Sequence, residues 1–143
     1  MSTNRIKSYG KLVIETEISG AKKLFKTINS DFAKVISKLS KIKGKVIITG
    51  VGKSGHISSK ISSTMSSTGT LSQYCSPTDM SHGDLGIISK NDAIIIISNS
   101  GKSEEFKSLL DFAKKNKVFV IGITSNAKST LYKLCDIPLL IPN

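Results

Sequence analysis

The N-terminal third of the chain carries apolar residues at intervals of three and four. They are Ile18, Ala21, Phe25, Ile28, Phe32, Val35, Leu39 and Ile42. This spacing, sustained over more than three heptads, predicts one long amphipathic helix. Its apolar seam would line the core of the domain or pack against a second subunit. Gly20 is a possible kink near the start, and Gly44 is the expected stop.

Beyond residue 45 the pattern changes to short aliphatic runs that alternate with helical segments. The predicted strands are Val46 to Thr49, Leu71 to Cys75, Ala93 to Ser98, Val118 to Thr124 and Ile137 to Ile141. The predicted helices are His56 to Thr68, Glu104 to Asn116 and Ser129 to Cys135. Continuous Ile and Val runs are typical of parallel strands that are covered on both faces.

This alternation predicts an α/β fold, a three-layer αβα sandwich with about five parallel strands. With 143 residues, of which 38% are apolar, the chain can bury one sizeable core. We therefore expect a single domain over residues 1–143. Residues 1–45 form its N-terminal helical segment and residues 46–143 its α/β core.

No segment has the character of a membrane span or a secretory signal. The longest uninterrupted aliphatic run, Ala93 to Ile97, is far shorter than the roughly 18 residues that a spanning helix needs. The start of the chain also lacks the apolar stretch of a signal peptide. We expect a cytoplasmic protein with no membrane partner. Cys75 and Cys135 form no CxxC pair, so neither a disulfide framework nor a zinc knuckle is indicated.

The net charge of +11 raises the possibility of a nucleic-acid partner. Two features argue against it. Arg5 is the single arginine, although arginine makes most base-specific contacts, and tryptophan is absent. Residues 1–45 hold 11 basic and 3 acidic side chains, whereas residues 46–101 hold 3 of each. We therefore expect the lysine excess to be solvated surface, with no nucleic-acid partner.

A glycine-rich segment, Gly50-Val51-Gly52-Lys53-Ser54-Gly55-His56, joins the first predicted strand to a helix. Glycines let backbone amides turn toward a ligand, and the helix N-terminus and Lys53 add positive potential, so the segment can cradle an anion. It also matches the GxGxxG pattern of dinucleotide folds, but the strand Leu71 to Cys75 has no acid for a ribose. The Walker pattern fails because Ile47 stands where it requires glycine. An ordinary glycine-rich turn is the remaining alternative.

A second polar segment follows the third predicted strand and runs from Ser98 to Glu105. Its hydroxyls, amide and glycine could hold a phosphate, or the serine could simply cap a helix with acids in its first turn. In an open parallel sheet, ligands bind beyond the carboxyl ends of the strands. Two phosphate-type loops at that edge favour a phosphorylated small molecule as the ligand.

The segment from Pro77 to Gly86 is a further candidate wall of the same site, because it holds one of the two histidines, His82. A metal site built from His82, Cys75, Asp79 and Asp84 has no recognised spacing, so we expect no metal.

Four blocks of sequence together resemble a known family. They are Gly50 to His56, Ser67-Thr68-Gly69-Thr70, Ser81 to Gly86 (SHGDLG), and Ser98 to Gly101 (SNSG) with Ser103 and Glu105. In this order and spacing they resemble the sugar isomerase (SIS) domain of arabinose 5-phosphate isomerases, from about Ile14 to Pro142. The resemblance implies a flavodoxin-like or Rossmann-like sheet. It also implies interconversion of D-ribulose 5-phosphate and D-arabinose 5-phosphate through an enediolate, toward the Kdo sugar of bacterial lipopolysaccharide.

The resemblance also implies roles for particular residues. Lys53 would be the electrostatic catalyst, Glu105 the acid or base, and His82 a further catalytic side chain lining the pocket. The substrate and its phosphate would be held by Gly52, Ser54, Asp84, Ser98, Asn99, Ser100 and Ser103. No cofactor is implied, and the family points to a homo-oligomer, a dimer or tetramer.

The chain departs from the family pattern in three places. Lys102 stands where the family usually has an acid, and Thr78-Asp79-Met80 replaces a Gly-Glu-Ala-type stretch. The family also continues past the fifth strand with another catalytic carboxylate and a histidine, and its longer members carry CBS domains, whereas this sequence ends at Asn143. Two expectations stay open: the sugar-phosphate-binding core of an isomerase, or a domain that binds without turnover.

Overall fold

The computed structural model describes residues 2–102 and 104–142, with Glu105 described by its backbone alone. Its helices are α1 (Thr3–Phe25), α2 (Ser30–Leu39), α3 (Lys53–Ser67), α4 (Pro77–Ser81), α5 (Lys107–Asn116) and α6 (Thr130–Leu134). Its strands are β1 (Val46–Gly50), β2 (Ser72–Tyr74), β3 (Ala93–Ile97), β4 (Phe119–Thr124) and β5 (Ile137–Leu140). Short 3₁₀ turns occupy Asp84–Ile87 and Glu104–Phe106.

The five strands form one parallel sheet in the order β2-β1-β3-β4-β5, which confirms the predicted α/β class. The chain moves from β1 outward to β2, then crosses back to place β3 on the other side of β1. This order creates a switch point between β1 and β3, the place where open α/β sheets bind ligands.

Helices cover both faces of the sheet, as the continuous apolar strands require. Ile47, Ile94 and Ile96 face a core that α4, α5 and α6 complete, with Met80, Leu109 and Leu131 among its buried members. Val46, Ile48 and Ile95 face the opposite core, which α2 and α3 complete through Val35, Ile61 and Met65. The three layers are therefore closed by side chains that alternate along each strand.

The prediction of a long N-terminal helix is confirmed by α1 (Thr3–Phe25), but the apolar seam predicted as one helix from Ile18 to Ile42 is divided between two helices. Residues 26–29 separate α1 from α2, while Gly20 lies inside α1 and Gly44 comes after α2 has ended. The cause of the break is Asn29, which is extended and accepts hydrogen bonds from the backbone N–H groups of Asp31 (2.9 Å) and Phe32 (3.2 Å). An asparagine in this role starts a new helix. No residue of α1 is buried.

Smaller differences concern the ends of the other elements. α3 starts at Lys53 rather than His56, and β2 shortens to Ser72–Tyr74. The sequence reasoning missed α4, although Ser76 caps it and Pro77 occupies its first turn. Within the described residues, no helix is both long and apolar enough to cross a membrane.

Asp92 ties the beginning of β3 to the beginning of β1. Its carboxylate is 3% exposed and accepts hydrogen bonds from the backbone N–H groups of Lys45 and Ser89, both at 2.9 Å. The Lys45 ammonium lies 3.1 Å from the same carboxylate and donates to the carbonyl oxygen of Ile87 at 2.7 Å. Burial opposes ionisation of Asp92, but these hydrogen bonds outweigh it and lower its pKa.

We predict that Asp92→Ala lowers the free energy of unfolding by about 2–4 kcal/mol at neutral pH, because it leaves buried donors unpaired. Urea denaturation followed by circular dichroism measures this. The matched control is Asp31→Ala, which removes an exposed carboxylate 2.8 Å from Lys34 and should cost less than about 1 kcal/mol.

The same comparison should depend on pH in a defined direction. A carboxylate whose pKa is lowered by folding contributes its full stability above its ordinary pKa of about 3.9 and loses it as the pH falls further. The gap between the wild type and Asp92→Ala should therefore shrink below about pH 4. A gap that stays constant or widens there would contradict the role given to this carboxylate.

Candidate functional site

Two loops leave the sheet side by side at the switch point. Gly50 ends β1, Ile97 ends β3, and these two residues are direct partners in the sheet register. The segments 51–53 and 98–101 therefore begin at neighbouring positions on the carboxyl edge of the sheet, as predicted.

Close packing fixes the loop between β1 and α3. A Cβ atom on Gly50 would lie 2.8 Å from the carbonyl carbon of Ser54 and 2.9 Å from the carbonyl oxygen of Ile97. A Cβ atom on Gly55 would lie 2.7 Å from the carbonyl oxygen of Gly50. Side chains at these two positions would push the start of α3 away from the strands. The first turn of α3 is thus held directly over the switch point.

Gly52 is required in this loop for its backbone conformation rather than for close packing. Space around it is open, but its φ of 56° lies in the left-handed region that favours glycine. Gly52 is the N-cap of α3 and supplies no capping side chain, so the first N–H groups of a 15-residue helix have no side-chain acceptor at their cap. Such a helix start attracts anions. Lys53 is exposed and Ser54 half-buried at the same end.

The loop after β3 is hydrogen-bonded to the end of β4. The Asn99 carbonyl oxygen accepts hydrogen bonds from Thr124 Oγ1 (3.0 Å) and the Ser125 N–H (3.1 Å), and the Ser98 N–H donates to the Ile123 carbonyl oxygen (3.0 Å). Gly101 has a φ of 63° and sits so close to β4 that its Cβ would lie 2.9 Å from Thr124 Oγ1. These contacts with β4 fix the shape of the loop.

The serines of this loop occupy two different environments. Ser98 is 6% exposed, and its hydroxyl accepts a hydrogen bond from the Gly101 N–H at 3.1 Å. Asn99 and Ser100 are exposed, with the Ser100 hydroxyl accepting a weak bond from the Lys102 N–H at 3.4 Å. Ser98 thus stabilises the turn, whereas Asn99 and Ser100 present their side chains to solvent at the switch point.

Two of the predicted site residues fall wholly or partly outside the described structure. Ser103 lies outside the described residues, as does the side chain of Glu105. The backbone places Glu105 in the 3₁₀ turn Glu104–Phe106, directly before α5 on the connection that follows β3. Its position in the chain is therefore at the same edge of the sheet as the two loops.

His82 and Asp84 lie on the connection that follows β2. His82 ends α4, Gly83 turns the chain with a φ of 134°, and Asp84 begins the next 3₁₀ turn; both predicted side chains are exposed. Asp84 lines a cavity of about 200 Å³ together with Tyr74 and Asp79. β2 adjoins β1, whose end carries the glycine loop, but no residue of that loop is among those that line this cavity.

Sequence reasoning missed the loop between β4 and α6. An open cavity of about 430 Å³ is lined by Asn99, Ser100, Ser125, Asn126, Ala127 and Lys128. The Asn126 side chain donates to the Ser100 carbonyl oxygen at 3.3 Å, and Lys128 adds a cation. The available signal was the polar run Ser125-Asn126-Ala127-Lys128, which follows a strand as the other two loops do.

The cysteines do not act as exposed nucleophiles. Burial raises the pKa of the Cys75 thiol, with Lys45 opposing the shift and Asp84 adding to it. Burial likewise raises the pKa of Cys135 to about 11. Both thiols are thus protonated at neutral pH. Within residues 2–102 and 104–142, no three His, Cys, Asp or Glu side chains group together as metal ligands would.

Known proteins are similar to this sequence over most of its length. The SIS domain family model matches residues 38–143. An arabinose 5-phosphate isomerase of Yersinia pestis is 42% identical over 132 residues, which are 92% of this chain and 40% of that protein. An uncharacterized protein of Rickettsia prowazekii is 39% identical over 99% of this chain and 44% of its own length. The chain thus spans less than half the length of these curated relatives.

A solved structure is similar to this chain in both fold and sequence. The Escherichia coli CFT073 protein c3406, in complex with arabinose 5-phosphate, superposes with a TM-score of 0.93 at 36% identity over 99% of this chain and 76% of that one. The chain therefore belongs to the SIS domain family, with homology to arabinose 5-phosphate isomerases over most of its length.

Proposed function

We propose that this chain carries the sugar-phosphate site of an aldose–ketose isomerase that interconverts D-ribulose 5-phosphate and D-arabinose 5-phosphate. The observation that carries the proposal is the pairing of Gly50 with Ile97, which sets two phosphate-type loops side by side at the switch point. Homology to arabinose 5-phosphate isomerases and the sugar-phosphate complex of the E. coli neighbour support a sugar-phosphate isomerase.

In this proposal the substrate phosphate lies between the two loops. The start of α3, which has no side-chain cap at Gly52, the Ser54 hydroxyl and the exposed Asn99 and Ser100 side chains supply donors. Hydrogen bonds to a charged group contribute about 1.5–3 kcal/mol each. Ser98 acts mainly through the shape of the turn, and Ser103 stays a predicted ligand. Asp84 would accept a hydrogen bond from a sugar hydroxyl.

The reaction moves one proton between two carbons and no net electrons, so the proposal includes no redox cofactor. Glu105 removes the proton from C2 of the aldose while O1 gains a proton, which gives an enediol. O2 then loses its proton as C1 receives one, which gives the ketose. Lys53 stabilises the negative charge that develops on these oxygens, and His82 assists the proton transfer between them.

Two wider expectations stay predictions. One is that the product enters the synthesis of Kdo for bacterial lipopolysaccharide. The other is a cytoplasmic location.

We predict that Lys53→Ala and Glu105→Gln each lower kcat/KM for arabinose 5-phosphate by about 10²–10⁴-fold, the usual contribution of a positioned charge or proton-transfer group. A coupled assay of ribulose 5-phosphate formation measures this. Lys60→Ala and Glu104→Gln are matched controls, because both residues are exposed and neighbour the tested ones in α3 and in the 3₁₀ turn. Full activity in both test variants would refute the assigned roles.

A second candidate function is binding of a sugar phosphate without turnover. It is favoured by the hydrogen bonds of the site, which hold the binding loops in shape. Those bonds lie within the SNSG loop and between it and the end of β4, and they fix its shape for binding.

Thermal stabilisation and turnover, measured on the same protein, separate these two functions. Arabinose 5-phosphate at 100 times its dissociation constant should stabilise the wild type by about 2.7 kcal/mol in either case, whereas turnover accompanies it only in an isomerase. Gly52→Ala should weaken the shift, because alanine is strained by about 1–2 kcal/mol at a left-handed φ. Absence of any shift with either pentose phosphate would contradict both functions.

We also infer that a second copy of this chain covers α1, which gives a homo-oligomer. No residue of α1 is buried, and its large exposed apolar side chains are Ile6, Tyr9, Leu12, Val13, Ile14, Ile18, Leu24 and Phe25. So many exposed apolar side chains on one helix are typical of a surface that packs against a protein partner.

We predict a dimer or tetramer by light scattering at micromolar concentration. The triple variant Ile14→Ser, Ile18→Ser, Phe25→Ser should be monomeric with unchanged circular dichroism from the α/β core. Leu71→Ser, which removes an exposed leucine outside α1, should leave the mass unchanged. A monomeric wild type would disprove the inference.

A further inference from the structure

A second large cavity lies at the opposite edge of the sheet, where β4 begins. Its volume is about 600 Å³, and its walls come from α2, α5, the start of β4, the end of α6 and Asp136. Strands advance roughly 3.3 Å per residue, so the six residues of β4 separate this cavity from the switch point by roughly 15–20 Å. The two sites are therefore distinct.

Four lysines from three helical regions converge on this cavity. They are Lys38, Lys114, Lys117 and Lys133. All four are exposed, and the ion pairs of the described residues, Lys34 with Asp31 and Lys45 with Asp92, include none of them. Two carboxylates share the walls, Asp111 and Asp136. Four lysines against two carboxylates leave the walls with a net positive charge, and Asp136 is in addition bound by the Val120 N–H at 2.7 Å.

The backbone at Lys117 adds an independent observation. Lys117 follows α5 with φ 57° and ψ 37°, and it is the one residue other than glycine with a positive φ in the described chain. The Val118 N–H closes this helix end by donating to the Ala113 carbonyl oxygen at 2.9 Å. Glycine is the usual residue here, and a residue with a Cβ costs about 1–2 kcal/mol.

The helix dipole does not account for this lysine. Lys114 and Lys115 already occupy the last turn of α5, where a cation complements the dipole without backbone strain. Lys117 instead has a strained backbone and lines the cavity. Strain retained at a particular residue is a recognised mark of a functional position.

The floor of the cavity is apolar. Leu110, Ala113, Val118 and Phe119 contribute to it, and the Lys38 ammonium lies 5.7 Å from the centroid of the Phe119 ring. The Lys38 side chain is thereby held at the cavity by a cation–π contact. A volume of this size with an apolar floor and a few convergent charges is typical of a small-molecule site.

We propose that this cavity binds a small phosphorylated molecule that has an apolar portion and the size of a nucleotide. The lysines hold its phosphate groups, and the apolar floor covers the remainder. This site is separate from the proposed isomerase site and does not depend on it.

The test uses Lys117→Gly, which removes a cation and relieves the strained backbone together. The variant should unfold at the same temperature as the wild type or a higher one, because glycine suits this conformation. AMP and ATP should raise the melting temperature of the wild type, ATP more strongly, whereas adenosine should have no effect. In Lys117→Gly and in the double variant Lys38→Ala, Lys133→Ala, the nucleotide shift should fall by at least half.

Matched controls separate the two sites. Lys115→Ala removes a neighbouring lysine that does not line the cavity and should keep the full nucleotide shift. Lys53→Ala should also keep it, and Lys117→Gly should keep the response to arabinose 5-phosphate. No nucleotide shift in the wild type, or a shift lost in Lys53→Ala and retained in Lys117→Gly, would overturn the proposal.

Discussion

The contact between Gly50, the first turn of α3 and the end of β3 sets the geometry on which the site depends. No Cβ atom fits between Gly50 and the backbones of Ser54 and Ile97, so the helix start and the neighbouring strand approach as closely as backbones can. Parallel strands leave a sheet on one edge, and the order β2-β1-β3-β4-β5 brings β1 and β3 together at the switch point. A small anion between their loops can therefore meet donors from both.

The second loop is rigid for a different reason. Its carbonyl and N–H groups are bonded to Thr124, Ser125 and Ile123, and Gly101 packs against the same strand end. Donors that are already positioned lose little entropy when a ligand binds, which favours affinity for a small charged molecule. The anion site therefore depends on β4 as much as on the two strands that carry the phosphate-type loops.

The lysines are distributed unevenly along the chain. Residues 46–101, which carry the glycine loop and the SNSG loop, are electrically balanced, and Lys53 stands among backbone amides and hydroxyls. Residues 1–45, with 11 basic and 3 acidic side chains, carry most of the excess charge. A high net charge thus says little about the ligand, because placement and local partners decide what a charge can bind.

The sequence by itself determined the α/β class, the approximate strands and the loops after β1 and β3. Aliphatic runs and the glycines that end them are local signals. It could not show that Asn29 divides the N-terminal helix, since the heptad pattern continues across a cap that local hydrogen bonds create. Nor could it distinguish Ser98, turned inward to Gly101, from the exposed Ser100 two positions later. The tertiary structure decided these points, together with the contribution of Asn126 and Lys128 and the convergence of four distant lysines at the far edge. The Asn29 cap and the Ser98 turn are local hydrogen bonds among several that the residue pattern allows. The loop with Asn126 and Lys128 and the cluster of lysines depend on which strands become neighbours, and that follows from the packing of the whole sheet.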